Sequence, residues 1–86
     1  MRRDVFQAIA DPTRRQILMS LTRERKPVNA LADQFEMTRQ AVSFHLKFLQ
    51  ECGVISEEQE GRERFCQLEA DKLSDVADWI EPFRKL

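Results

Sequence analysis

The feature that most constrains this chain is the stretch 38–52, TRQAVSFHLKFLQEC. Placed on a helical wheel at about 100° per residue, it separates into two faces, with Phe44 and Leu46 on the borders. The packing face holds Ala41, Val42, His45, Phe48, Leu49 and Cys52, and the opposite face holds Arg39, Gln40, Ser43, Lys47, Gln50 and Glu51. The opposite face carries no acid before Glu51, so it suits base edges and phosphates in a DNA major groove. This pattern predicts the recognition helix of a helix-turn-helix.

The residues around this stretch favour the same motif. The spacing of apolar residues predicts a short helix over 30–35, with Asn29 as its N-cap. Residues 35–37 then form a three-residue turn, and Thr38 caps the longer helix, which ends at Gly53 as a left-handed C-cap. A short helix, a tight turn and a longer capped helix are typical of a helix-turn-helix.

A β-hairpin is predicted directly after the recognition helix. Two strand-like runs, 54–59 and 62–68, flank a turn at 60–61 that contains glycine. Arg62 and Arg64 lie just past the tip and share side-chain parity, so both are expected to point the same way. The hairpin would stand beside the recognition helix as a wing.

Two helices are predicted before the motif. The first spans 3–10, RDVFQAIA, and the second spans about 12–24, with Asp11 as N-cap and Pro12 at the first helical position. A break follows at 26–28, where a short edge strand fits. Both helices present apolar residues at helical spacing.

The last predicted helix spans 71–81, and Pro82 is expected to kink or restart it. Its apolar stripe, Leu73–Phe83, covers close to half the wheel and is wider than one small core needs. Two interpretations stay open for this stripe, namely core packing and a subunit interface.

The charge of the chain is uneven. A length of 86 residues indicates one small domain with a thin core, and the formal net charge is −1. Residues 1–26 nevertheless hold seven Arg or Lys against three acids, whereas residues 69–86 hold five acids against three bases. DNA binding needs a local positive face rather than a positive total. Arg14 and Arg15 fit either surface ion pairs or phosphate contacts.

Several other functions lack sequence support. Cys52 and Cys66 lie far apart, and no close metal-ligand pair or nucleophile–base set stands out, so neither a bound metal nor an enzyme is expected. The two thiols fit small hydrophobic residues or, alternatively, a thiol switch. His45, in the middle of the apolar arc, is expected to be a satisfied core or hinge histidine rather than a ligand or a catalytic base. No long apolar run predicts a membrane span or a secretory signal, which favours a cytoplasmic location.

Four segments together resemble the ArsR-type winged-helix repressors. They are D-P-T-R-R-Q-I-L at 11–18, V-N-A-L-A at 28–32, T-R-Q-A-V-S-F-H-L-K-F-L at 38–49 and E-G-R-E-R-F at 60–65. The resemblance covers nearly the whole chain. The short form without metal ligands looks like the subgroup that includes small autorepressors of bacterial operons.

The resemblance implies a fold, a partner and a set of site residues. The fold would be mainly α with about five helices and a two- or three-stranded wing, and the protein would bind double-stranded DNA at a palindromic operator as a homodimer. By position, the DNA-binding residues would be Thr38, Arg39, Gln40, Ser43, Phe44, Lys47, Arg62 and Arg64. The first and last helices would form the dimer interface, with Val5, Phe6, Ile9, Val76, Trp79, Ile80 and Phe83. Phe44 could instead pack beneath the wing.

The chain departs from the family pattern at three places. The sensing cysteines of the family would fall near 29–32, where this chain has none. The last-helix metal site would have acids but no histidine, so metal sensing is not expected. Glu36 occupies the turn position where the family often has glycine. A winged-helix protein–protein interaction module, which the acidic total favours, and a metal- or thiol-responsive sensor are the alternatives, and any small-molecule effector is unknown.

Overall fold

A computed structural model describes residues 3–86, which form five α-helices and a three-stranded antiparallel sheet around a hydrophobic core. The elements in chain order are α1 (Val5–Ala8), α2 (Pro12–Ser20), β1 (Lys26–Pro27), α3 (Val28–Gln34), α4 (Arg39–Glu51), β2 (Ile55–Glu60), β3 (Glu63–Leu68), a 3₁₀ turn (Ala70–Leu73) and α5 (Ser74–Arg84). The strand order is β1-β3-β2. The predicted class, mainly α with a small wing, is confirmed, and the possible edge strand at 26–28 is real.

The first two helices begin at acidic N-caps. Asp4 and Gln7 form a reciprocal capping box, in which each side chain accepts the backbone N–H of the other at 3.0 and 2.9 Å. Helix α1 is nevertheless only four residues long, shorter than the predicted 3–10. Asp11 caps α2 as predicted, by accepting the Arg14 N–H at 3.0 Å, and this hydrogen bond lowers the pKa of the Asp11 carboxyl. Helix α2 ends at Ser20, four residues before the predicted end.

Two arginines of α2 close the C-terminal end of α1. Arg14 donates from Nε to the Ala8 carbonyl at 3.0 Å and from Nη2 to the Gln7 carbonyl at 2.9 Å. Arg15 donates from Nη1 to the Ile9 carbonyl at 2.7 Å. The last carbonyls of a helix have no partner within the helix, so these guanidinium groups satisfy them. This role differs from the surface ion pairs and phosphate contacts that the sequence led us to expect for both arginines.

Helix α3 begins earlier than predicted. Its first residue is Val28, and its N-cap is Pro27, which makes no side-chain capping hydrogen bond. The prediction of Asn29 as N-cap is therefore wrong. Pro27 pairs with Phe65 as the last residue of β1, so the strand ends there and the helical turn starts at the next residue.

Helices α3 and α4 end in the same way. After α3, Glu36 has a φ of 53°, and the Met37 N–H donates to the Ala32 carbonyl at 3.0 Å. After α4, Gly53 has a φ of 82° and an equivalent hydrogen bond follows it, as predicted for this glycine. Both ends are Schellman motifs. One of them places a glutamate in the left-handed region that favours glycine.

Packing of α4 sets the direction of its exposed face. Thr38 caps the helix as predicted, since its Oγ1 accepts the Ala41 N–H at 3.1 Å. Val42, Leu46 and Leu49 are the buried residues of this helix. Leu46 is only 1% exposed, so its predicted position on the border of the packing face is wrong. A helical wheel of α4 alone could not show that β2 packs against this helix.

The wing is a hairpin with a two-residue turn. Glu60 pairs with Glu63, so the turn is Gly61–Arg62, one residue later than predicted, and Gly61 has the positive φ of 62° that such turns require. Arg62 therefore lies in the turn and not on a strand. The parity argument that aligned Arg62 with Arg64 does not hold.

The terminal elements differ from their predictions in two ways. Helix α5 continues through Pro82 to Arg84, so the predicted restart at this proline is wrong. Pro82 is the third residue from the helix end, where it removes one backbone hydrogen bond without dividing the helix. Val5 was predicted in the dimer interface but lies in the core, 5% exposed, and cannot offer its side chain to a second copy.

We expect Glu36→Gly to stabilise the fold by about 1 kcal/mol, because glycine adopts positive φ without the steric cost that a Cβ brings. The free energy of unfolding in urea, at a fixed protein concentration, measures the change. Gly53→Ala is the matched control at the equivalent position after α4. An added Cβ there meets no atom within 4 Å, so its expected loss of about 1 kcal/mol reports backbone strain alone. A destabilising Glu36→Gly would contradict this account.

Candidate nucleic-acid interface

The exposed face of α4 carries most of the predicted DNA-binding residues. The members that lie on this face and are exposed to solvent are Thr38, Arg39, Gln40, Ser43, Phe44 and Lys47. The buried stripe on the reverse of α4 holds these side chains outward, and Thr38 fixes the start of the helix. Glu51, at the last position of α4, is the first acid along it. The face therefore presents donors, acceptors and positive charge over three turns.

A concave surface joins this face to the wing. Its lining residues are Pro27, Val28, Asn29, Arg39, Ser43, Gln59, Arg62, Glu63 and Arg64. We call this surface the wing cleft. It brings together Arg39 of α4 with Arg62 and Arg64 of the wing. Asn29 and Gln59 were not predicted as members, because only the docking of the hairpin against α3 and α4 brings them there.

The wing also carries many acids, most of which are paired. They are Glu57, Glu58, Glu60 and Glu63. Arg25 forms ion pairs with Glu58, at 3.8 Å, and with Glu60, and its guanidinium lies 4.3 Å over the Phe65 ring. A cation outside the hairpin thereby neutralises part of its negative charge.

The two wing arginines are not equivalent. Arg64 Nη1 lies 3.5 Å from Glu57 Oε1, whereas Arg62 forms no ion pair within residues 3–86. The Arg64 side chain is 59% exposed but that of Glu57 only 14%, so Arg64 reaches solvent while it neutralises a largely buried carboxylate. Arg62, at the tip, is free to contact an anion directly.

The opposite edge of the α4 face meets the start of the chain. Arg3, Phe44, Lys47, Phe48 and Glu51 line a second concave surface, which we call the N-terminal cleft. Phe44 is 68% exposed on this edge, away from the wing cleft, so the alternative that it packs beneath the wing is wrong. Its ring lies edge-on to His45, with 6.0 Å between the ring centroids.

Phe48 is held by two cations. The guanidinium carbons of Arg3 and Arg14 lie 3.9 and 4.0 Å from its ring centroid. Both guanidinium groups therefore stack with the same ring. Such cation–π contacts contribute about 0.5–1 kcal/mol at exposed sites and more where water is excluded. Arg3 also pairs with Glu51 at 2.8 Å.

His45 does not behave as predicted. Its Nδ1 atom is buried and has no hydrogen-bond partner within residues 3–86, so the prediction of a satisfied histidine is wrong. An unsatisfied buried polar atom costs about 1–3 kcal/mol.

The cysteines are poorly suited to a thiol switch. Cys66 is fully buried, and burial, with a smaller contribution from Glu57, raises the pKa of its thiol to about 12. Burial also raises the pKa of the half-buried Cys52 thiol. Since the thiolate is the reactive form, both side chains favour the interpretation as small hydrophobic residues.

Metal-binding and membrane-spanning features are absent from the part of the chain that the structure describes. Within 3–86, no group of three or more His, Cys, Asp or Glu side chains is placed to hold a metal ion. In that same span, no helix is both long enough and apolar enough to cross a membrane.

A helix-turn-helix with an exposed, cationic recognition helix and an adjoining hairpin defines a winged-helix DNA-binding transcriptional regulator. The sequence model described as "Bacterial regulatory protein, arsR family" matches residues 11–57. The chain belongs to this ArsR family.

Relatives and solved structures agree with this assignment. The chain is 34% identical to the transcriptional repressor SdpR of Bacillus subtilis over 93% of its own length and 89% of the relative. It is 32% identical to the HTH-type transcriptional repressor SmtB of Mycobacterium tuberculosis, but spans only 54% of that protein. The crystal structure of an ArsR family transcriptional regulator superposes with a TM-score of 0.82 at 36% identity, covering 93% of this chain and 88% of the other.

We expect Cys66 to resist alkylation in the native protein at pH 8, because its pKa of about 12 leaves almost no thiolate and its sulfur is inaccessible. Mass spectrometry after iodoacetamide treatment, with and without urea, counts the modified thiols. A Cys52→Ser variant isolates Cys66 and should show modification only in urea. Rapid modification of this variant without urea would contradict the assignment of Cys66 to the core.

Proposed function

We propose that this protein is a homodimeric transcriptional repressor that binds a two-fold symmetric operator. Residues 1–86 would act as one winged-helix domain with dimerising terminal helices. The observation that carries the proposal is the exposed face of α4, free of acid until Glu51 and continuous with the arginine-lined wing cleft. The names of the relatives SdpR and SmtB as repressors support the direction of regulation.

The exposed side chains of α4 would fall into two groups, those that contact DNA bases and those that contact the DNA backbone. Arg39 and Gln40, on the first turn, would enter the major groove, where Arg bonds guanine and Gln bonds adenine bidentately. Thr38, Ser43 and the exposed Phe44 would complete the contacts, with the Phe44 ring suited to a thymine methyl group. Lys47 and the wing arginines would bind phosphates, which position the protein without reading sequence.

An exposed apolar patch supports the dimer. It consists of the side chains of α1 and α5 that the core leaves uncovered, namely Phe6, Trp79, Ile80 and Phe83. The rings of Phe6 and Trp79 meet edge to face at 6.2 Å, and those of Trp79 and Phe83 lie 5.0 Å apart. Ile9 and Val76 are partly buried against the core at its margin. A contiguous aromatic patch of this kind is typical of protein interfaces.

A dimer would also bind DNA more tightly and more selectively than a single copy. One recognition helix contacts few base pairs, so a single copy would bind weakly and with little selectivity. Two copies related by a two-fold axis would place their α4 helices in successive major grooves, about one helical turn apart. The second contact then becomes intramolecular, which raises the overall affinity.

Base reading by Arg39 predicts a loss of selectivity in Arg39→Ala. Operator DNA is first obtained by selecting bound sequences from random duplexes with the purified protein. We expect Arg39→Ala to reduce discrimination between operator and random DNA by about 1–3 kcal/mol for each base that the arginine reads. Lys47→Ala, the matched control on the same face, should weaken both duplexes alike.

Equal reductions in affinity for operator and random DNA in Arg39→Ala would contradict base reading. Absence of any retarded duplex at low salt with the unmodified protein would contradict DNA binding itself. That result would favour the alternative of a protein–protein interaction module, with which the acidic wing is compatible.

The patch predicts that Trp79→Asp yields monomers, because a charge in an aromatic interface is desolvated without a partner. Sedimentation velocity at micromolar concentration measures the mass, and DNA affinity should fall with dimerisation. Gln67→Asp is the control, since it adds the same charge at an exposed position of β3, a strand that contributes nothing to the patch, and it should leave the dimer intact. A monomeric unmodified protein at these concentrations would refute the dimer.

A further inference from the structure

The DNA-facing side of α4 has a second flank, formed by the start of the chain. Arg3 and Lys47 line the N-terminal cleft together with Phe44, Phe48 and Glu51. Lys47 also lines a concave surface with Ser43 and Arg64 on the wing side. The N-terminal cleft is thus continuous with the proposed DNA-binding face, and the wing and Arg3 border that face on its two edges.

Arg3 is positioned by stacking and neutralised by an ion pair. Its guanidinium carbon lies 3.9 Å from the Phe48 ring centroid, and its Nε lies 2.8 Å from Glu51 Oε1. The same ring also stacks with Arg14, which is itself anchored to the carbonyls of Ala8 and Gln7. Stacking therefore holds Arg3 at the edge of the α4 face independently of Glu51.

The partner of Arg3 is exchangeable. The side chains of Arg3 and Glu51 are 41% and 46% exposed, so water and ions reach both charges. Exposed ion pairs contribute little net stability and weaken with salt. A phosphate that approaches Lys47 would repel the Glu51 carboxylate and attract the guanidinium, which can bond phosphate oxygens bidentately while it stays stacked on Phe48.

We propose that Arg3 is a ligand of the DNA backbone, positioned by Phe48 and masked by Glu51 in the free protein. The inference rests on the proposed function and adds to it a third phosphate-binding region, opposite the wing. The contact is with phosphate, so it is independent of base sequence. Glu51, the ion-pair partner of Arg3, opposes DNA binding in general and so limits occupancy of non-specific sites.

The test is the salt dependence of binding to a labelled random-sequence duplex, followed by fluorescence anisotropy. Removal of one protein–phosphate interaction lowers the slope of log affinity against log salt by about 0.9. Arg3→Gln should show this change for each protomer bound. The ratio of the unmodified protein's DNA affinity to that of Arg3→Gln should therefore fall about threefold per protomer between about 50 and about 200 mM salt.

Charge-matched variants separate a local contact from a change in net charge. Lys72→Gln, in the 3₁₀ turn, removes the same charge as Arg3→Gln, and Arg3→Lys keeps the charge at the site. We expect Lys72→Gln and Arg3→Lys to keep a slope close to that of the unmodified protein. Thermal unfolding of every variant shows whether it is folded, and the comparison of Glu51→Gln with Asp78→Asn, which keeps Arg3 in place, maintains the test if Arg3→Gln is unstable.

Whether Glu51 withholds Arg3 from DNA is tested by measuring the effect of Glu51→Gln with Arg3 present and with Arg3 replaced. Glu51→Gln should raise affinity for random DNA at low salt, and Asp78→Asn on α5, which removes the same charge, should raise it less. In the Arg3→Gln background the gain from Glu51→Gln should be smaller, since there is no guanidinium to release.

Two results would overturn the inference while leaving the proposed function intact. One is identical salt slopes for Arg3→Gln and Lys72→Gln, and the other is a Glu51→Gln affinity no higher than that of Asp78→Asn. If the unmodified protein does not bind the duplex at all, the proposed function fails, and this inference fails with it.

Discussion

The interface depends on the burial of one stripe of α4. Val42, Leu46 and Leu49 belong to the same core cluster as residues of α2, α3 and the wing strands. Burying a side chain of this size stabilises the fold by about 1.5–3 kcal/mol, so the stripe fixes how α4 is rotated about its own axis. A rotation by one residue would move Arg39 and Ser43 by about 100° and turn them from solvent toward the protein. The direction of the polar face is thus a consequence of apolar packing.

Much of the fold could be predicted from the sequence, because its strongest signals are local. Thr38, Asp11 and Gly53 act through hydrogen bonds or backbone angles within a few residues, and each has the predicted role. Leu46 was misplaced because its burial depends on a strand that approaches from elsewhere. Asn29 was wrong as an N-cap for a similar reason, since pairing of β1 with β3 determines where α3 starts.

The site was predictable in part. The α4 residues followed from periodicity, and their grouping with Arg62 and Arg64 was implied by family resemblance. The roles of Arg3 and Arg14 were not accessible, because both depend on where the Phe48 ring lies after α1 and α4 have packed. A guanidinium can pair, stack or bind phosphate, and sequence spacing does not distinguish these partners. The net charge of −1 was a weak guide as well, since acids of the wing and of α4 are paired with arginines.

Helix α5 differs from the other helices that the structure describes in a way that bears on dynamics. None of its residues is buried, and at 11 residues it is shorter than isolated helices that persist in water. Opening of this segment therefore exposes little additional apolar surface and costs much less free energy than opening of α4. In a single copy of the chain its backbone amides should therefore exchange with deuterium early, and the proposed pairing of two copies would be what protects them.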